Sequence, residues 1–255
     1  MTDKQYFDTA VKHYLQRHGL RRMNPRAALC DMDGTLYDSM PRHAAAWQRM
    51  MHEQGVDCEI DRFFAYEGRT GASTINILFR EFLGREADAE ECRRLYAVKS
   101  RYFHEVQQRE GIAVMPGAQH LVEQFMAEGI APVLVTGSGQ TTLTDRLNVD
   151  YPGAFPDNRR ITSHNVTHGK PHPEPYLRGL ELAGVAPSEA FVLENAPLGV
   201  ESGVAAGVFT IAVCTGPIER RLFVEAGADV IFDSMPDCDK MFPQLLSSMR
   251  TVVCD

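Results

Sequence analysis

Ala27-Ala28-Leu29-Cys30-Asp31-Met32-Asp33-Gly34-Thr35 decides the fold. The four apolar residues read as a short buried strand, and the acids, glycine and threonine after them read as the turn that ends it. Asp31 and Asp33 converge on one pocket only if Gly34 lets the chain bend back. Two carboxylates so placed suit phosphoryl transfer: Asp31 as a nucleophile on phosphorus, Asp33 as the group that protonates the leaving oxygen and then takes a proton from water. The bland alternative is a turn or helix cap built from two acids.

Three further stretches weigh against that alternative. Ala131-Pro132-Val133-Leu134-Val135 reads as a buried strand running into Thr136-Gly137-Ser138-Gly139, where a hydroxyl and free amides can hold phosphate oxygens. Gly169-Lys170-Pro171-His172-Pro173-Glu174 sets a lysine in a proline-stiffened loop before a helical stretch at Tyr176 to Ala183, with His172 read as an ordinary loop residue. Phe191-Val192-Leu193-Glu194-Asn195-Ala196-Pro197-Leu198-Gly199 ends a third strand on an acid and an amide, and the small-residue stretch from Val200 to Gly207 reads as a helix.

With DxDGT, these segments resemble the four motifs of the haloacid dehalogenase superfamily, in order and at strand ends. The resemblance implies an α/β fold with a Rossmann-like parallel-sheet core and an inserted α-helical cap. It makes Thr136 the phosphoryl-binding hydroxyl, with Gly137 and Ser138 beside it, and Lys170 the ammonium that balances Asp31 and the phosphoryl group. It also implies magnesium held by Asp31, the Asp33 carbonyl, Glu194 and Asn195. Most relatives carry aspartate where Asn195 stands, so the site has one negative charge fewer than usual.

Between the first motif and Pro116 the pattern is helical, over Arg42 to Gln54, Ala72 to Leu83 and Ala89 to Gln108. Beyond Pro116 apolar runs at 131–135, 191–193, 208–213 and 229–232 alternate with helices, as a parallel sheet requires. The expected division is an N-terminal helical extension over 1–24, a core over 25–37 and 116–255, and a cap over 38–115. Phe7, Val11, Tyr14 and Leu15 form one helical stripe, the mark of a docking helix.

The cap must choose the substrate. Asp38-Ser39, His43 and Trp47 resemble the first cap helix of the β-phosphoglucomutase-like subfamily. There His43 would touch Asp33 on closure, although a structural helix-face histidine reads equally well, and Trp47 reads as core packing. In Tyr66-Glu67-Gly68-Arg69-Thr70-Gly71-Ala72-Ser73 the position of the mutase arginine holds Gly71, and the mutase lysine falls near Ala97, with Lys99 close by. Arg69 or Lys99 is the candidate for a distal phosphate. Over nearly the whole chain the sequence is similar to Bacteroides-type mutase-like hydrolases, among which inorganic pyrophosphatase occurs. That similarity implies Glu67 acting with Asn195 at the metal; otherwise Glu67 is a solvated loop acid.

The expectation is a magnesium-dependent phosphohydrolase working through an aspartyl-phosphate, with pyrophosphate preferred and small phosphomonoesters accepted. A sugar-phosphate isomerase and a catalytically silent phosphate-binding module are the alternatives. The 255 residues carry a net charge of −8 with 44% hydrophobic residues, enough for a core and a smaller second domain and unsuited to nucleic acid. Six cysteines without CxxC pairing, and no signal-like or long apolar run, lead us to expect a cytoplasmic, monomeric protein with no membrane partner.

Overall fold

The computed structural model describes residues 2–139 and 141–254. Helix α1 (Asp3–His18) is closed at its start by a Thr2–Gln5 capping box and at its end by Gly19. Strand β1 (Ala27–Cys30) is followed by α2 (Met40–Glu53), a 3-10 segment at Ile60–Tyr66, α3 (Gly71–Leu83) and α4 (Ala89–Glu110). Then come α5 (Ala118–Ala127), β2 (Ala131–Val135), α6 (Thr141–Asp150), β3 (Arg160–Ile161), α7 (Glu174–Ala183), β4 (Ala190–Glu194) and α8 (Pro197–Ala205). Strand β5 (Phe209–Val213), α9 (Arg220–Glu225), β6 (Val230–Phe232) and α10 (Met235–Thr251) complete the chain.

The six strands make one parallel sheet in the order β3-β2-β1-β4-β5-β6, so β1 lies between β2 and β4. Its residues are buried on both faces. Ala27 and Leu29 meet Tyr176 and Leu180 of α7, whereas Ala28 and Cys30 face the larger core shared with α1, α5 and α10. The N-terminal stripe is buried as expected, Phe7 against Phe232 and Tyr14 edge-on to Phe209. Helices α2, α3 and α4 pack chiefly on one another and form an inserted cap. None of the described helices is long and apolar enough to cross a membrane.

The expected helices stand with small shifts at their ends: α2 starts at Met40 and α7 at Glu174, each with a proline in its first turn where a missing N–H is harmless. Strand β3 was not anticipated. Two residues long and flanked by polar segments, it has no apolar run to announce it, yet it pairs with the end of β2.

Candidate active site

The strand order reverses between β1 and β4, and side chains following neighbouring strands meet outside their carboxyl ends. Asp31 and Asp33 leave β1, Thr136 leaves β2, and Glu194 ends β4, with Asn195 next to it. Gly34 makes the bend that follows Asp33, with φ at 79° and its N–H donating to the Tyr37 carbonyl at 2.7 Å. A Cβ there would stand 1.9 Å from Asn195 Nδ2, so the residue is glycine for steric as well as conformational reasons.

Lys170 reaches this junction from the loop before α7. Its Nζ donates to Asp31 Oδ1 at 2.5 Å, Glu194 Oε1 at 2.6 Å and the Val135 carbonyl at 3.0 Å, all buried. Tyr176 donates to the same Glu194 oxygen at 2.6 Å, and the Asn195 and Ala196 N–H groups donate to its other oxygen. Glu194 therefore anchors Lys170 in this arrangement. The two carboxylates hold the Lys170 ammonium well above its ordinary range against the effect of burial. Burial, aided by Glu194 and Asp33, pushes the Asp31 carboxyl up in spite of Lys170.

Asp33 sits in a different setting. Its Oδ1 accepts from Ser39 Oγ at 2.6 Å and lies 3.0 Å from His43 Nε2. Burial pushes its carboxyl up, but His43, Ser39 and Lys99 outweigh that and hold it below the usual range. His43 stacks on Phe103 with centroids 4.0 Å apart, and its Nδ1 lies 2.5 Å from Lys99 Nζ. The helix-face histidine is thus a link from Lys99 to Asp33.

The cap lysine position needs correction. Ala97 is exposed, whereas Lys99 is buried in the stripe Cys92, Leu95, Lys99, Tyr102, Phe103. Those spacings of three and four mark one helix face, so α4 turns Lys99 and not residue 97 toward the site. Trp47, expected in the core, packs near Tyr96 and also lines the cavity beside Asp33. Gly71 has no room for a larger residue, since a Cβ would meet the Tyr96 ring at 2.1 Å.

Glu67 is not solvated. It is buried, and its Oε1 accepts from Asn195 Nδ2 at 2.7 Å, while Asn195 Oδ1 accepts from Thr35 Oγ1 at 3.1 Å. Burial and the Asp31 charge push the Glu67 carboxyl well up. Arg69 is half-buried and lines the cavity, with Nη1 3.5 Å from Ser73 Oγ, Nε without a partner and no ion pair among the described residues. Beside them, Ser138 N–H donates to Thr136 Oγ1 at 3.0 Å, which leaves the Thr136 hydroxyl proton to point elsewhere.

Cap and core meet closely here. A Cβ on Gly137 would lie 2.5 Å from the Gly68 carbonyl, and one on Gly169 would lie 2.7 Å from Thr70 Cγ2. Between them is a cavity of about 60 Å³ lined by Asp31, Asp33, His43, Trp47, Tyr96 and Thr136 among others. Ser39 and Tyr176 are the partners that sequence reasoning did not assign. A hydroxyl at the N-cap of α2 and a tyrosine two residues into α7 carry no signal until Asp33 and Glu194 are seen beside them.

Comparison with known proteins points to one family. A family model described as haloacid dehalogenase-like hydrolase matches residues 25–207. Hexitol phosphatase A of Escherichia coli is 34% identical over 195 residues, 75% of this chain and 84% of the relative. The phosphorylated carbohydrates phosphatase of Thermotoga maritima is 28% identical over 204 residues, 79% of this chain and 91% of the relative. A solved structure from Bacteroides vulgatus, provisionally described as a β-phosphoglucomutase, is 43% identical with a TM-score of 0.92, covering 97% of this chain and 99% of that one.

Proposed function

The chain belongs to the haloacid dehalogenase-like hydrolases, and on that footing we propose that it is a phosphohydrolase acting through an aspartyl-phosphate on Asp31. The observation that carries the reading is that Asp31 and Asp33 line one small cavity with Thr136, yet sit in opposite settings, Asp31 on the Lys170 ammonium and Asp33 on His43. Different settings for paired carboxylates divide nucleophile from acid and base.

In this reading an Asp31 oxygen attacks phosphorus, the bond to the leaving oxygen breaks, and that oxygen takes a proton from Asp33. Water then attacks phosphorus, gives a proton to Asp33, and the bond to Asp31 breaks. His43 holds Asp33 ionised for the second step, and the phosphoryl charge beside Asp33 raises its proton affinity for the first. The Thr136 hydroxyl donates to a phosphoryl oxygen, and Lys170 offsets the charge of Asp31 and the phosphoryl group. The cap is assigned residues 38–115, the core 25–37 and 116–255, and the extension 1–24.

Asp31, the Asp33 carbonyl, Glu194 and Asn195 offer oxygen atoms, the donor type of magnesium, and a surplus of buried carboxylates suits a cation. Glu67, hydrogen-bonded to Asn195, would supply the negative charge that an aspartate at 195 would bring once a cation there favours its ionised form. A bound magnesium would stabilise charge on a phosphoryl oxygen.

The small cavity under the cap supports our reading of a substrate with little beyond its phosphoryl group, inorganic pyrophosphate first, with Arg69 as the proposed partner of its second phosphate. Small sugar or polyol phosphates are the second reading, supported by the Trp47, Tyr66 and Tyr96 rings that line the cavity. The test is phosphate release with magnesium from pyrophosphate, hexitol phosphates and sugar phosphates, run beside isomerisation of β-glucose 1-phosphate. Phosphate release that Asp31→Asn abolishes is expected, fastest from pyrophosphate. Faster release from hexitol or sugar phosphates would overturn the substrate preference, and glucose 6-phosphate formation in excess of phosphate would overturn the hydrolase reading.

A further inference from the structure

The loop that delivers Lys170 carries a second cluster on its outer side, away from the cavity. His168 and His172 flank Lys170, and Glu174 opens α7. Each of the three can place one donor atom within 4.8 Å of the others. The two imidazole rings are 4.6 Å apart between centroids, and both histidines are exposed.

The arrangement is anchored. Glu174 accepts backbone N–H bonds from Thr167 at 2.9 Å and His168 at 2.8 Å, and its Oε2 lies 3.0 Å from His168 Nδ1. The Glu174 N–H donates to His172 Nδ1 at 3.1 Å, and the His172 carbonyl accepts from Ser202 Oγ at 2.7 Å. Pro171 restricts the backbone between the histidines, and Pro173 restricts it between His172 and Glu174. Arg178 Nη2 lies 3.8 Å from Glu174 Oε1.

We propose that His168, His172 and Glu174 form a surface site for a borderline divalent transition ion, with zinc as the representative, that staples the Lys170 loop. Two imidazoles and one carboxylate suit zinc and leave a fourth position for water, whereas magnesium and calcium prefer oxygen donors throughout. Because His168 and His172 lie two residues to either side of Lys170 and Glu174 opens the helix after it, the ion would hold the base of the loop without touching the lysine. An ion bound between His168 Nδ1 and Glu174 Oε2 takes the place of the proton they share.

The experiment titrates Zn²⁺ into the full chain calorimetrically with excess Mg²⁺ present, and follows thermal unfolding with and without Zn²⁺. One ion per chain is expected, with a raised melting temperature. His168→Ala and His172→Ala should each weaken binding by at least roughly tenfold, the loss that follows removal of even an outer partner of a metal ligand. The double variant should show no thermal shift. Co²⁺ in place of Zn²⁺ should show no thiolate charge-transfer band, which separates this site from the partly exposed Cys58, Cys214 and Cys254. Absence of Zn²⁺ binding, undiminished binding in the double variant, or a thiolate band would overturn the site. Binding without a thermal shift would overturn the staple.

Discussion

Replacing Lys99 by methionine should make the protein more stable and less active. Lys99 is 2% exposed, has no carboxylate within ion-pair distance among the described residues, and is ringed by Trp47 and Phe103 at 5.2 Å and Tyr96 at 5.9 Å. Burial holds its ammonium down at about 7 against an ordinary 10.5. At roughly 1.4 kcal/mol for each power of ten, that difference corresponds to ~5 kcal/mol of destabilisation. The cost is present in full below about pH 7, where Lys99 is charged in the folded and unfolded chains alike. Above that the unfolded chain holds more protons than the folded one, so stability rises with pH until the lysine is neutral in both. Methionine keeps most of the stem and removes the charge. Urea unfolding should therefore find the variant several kcal/mol more stable at about pH 6.5, with its advantage smaller by ~3 kcal/mol at about pH 9.5. Phosphate turnover should fall, because His43 Nδ1 loses its partner. Equal stabilities, or an advantage that does not change with pH, would refute the reasoning.

Glu67→Gln should also stabilise. A carboxyl raised in the folded state loses stability as pH climbs through and above its usual range, so the amide should be more stable at neutral pH and level with the parent in acid, as unfolding at two pH values would show. Phosphate release should need more magnesium, since the amide preserves the contact to Asn195 without the charge. Gly34→Ala forces a left-handed residue against Asn195 and should cost at least about 1–3 kcal/mol in unfolding, with activity lost in the folded fraction. Phe7→Ala, in a fully buried position against Phe232, should cost about 3–5 kcal/mol while leaving the rate per folded molecule unchanged.

What could be read from the sequence follows from where the information lies. A parallel strand buried on both faces must be an unbroken apolar run, so β1, β2, β4 and β5 announce themselves, and the polar residues just after them must gather at one edge of the sheet. Strand β3, with two residues, has no run to read. In the cap, position is set by helix phase and not by a strand end, so Lys99 could be found from its place in the α4 stripe but not by counting residues from a related motif. The Glu67–Asn195 bond joins positions 128 residues apart, and each alone reads as a loop residue. Ser39 and Tyr176 take meaning only from the carboxylates they meet.

The same residues explain why stability and activity should oppose one another. Asp31, Asp33, Glu67 and Glu194 are all buried within one small region, against the ammonium groups of Lys170 and Lys99. Lys170 is held strongly protonated, whereas Lys99 gives up its charge near neutrality, so negative charge outweighs positive in a place that solvates neither well. The strain appears where it should, with Asp31 and Glu67 holding protons more tightly than an exposed carboxyl would. A protein selected for stability alone would replace Glu67 and Lys99 with neutral residues. Retaining both leaves the cavity poised for ligands that alter its charge: a divalent cation relieves the surplus, and a phosphoryl group near Thr136 and Asp33 raises the proton affinity of Lys99. Cation and phosphate should therefore bind with positive coupling, each tightening the other, and Glu67→Gln should weaken that coupling more than it weakens phosphate binding alone.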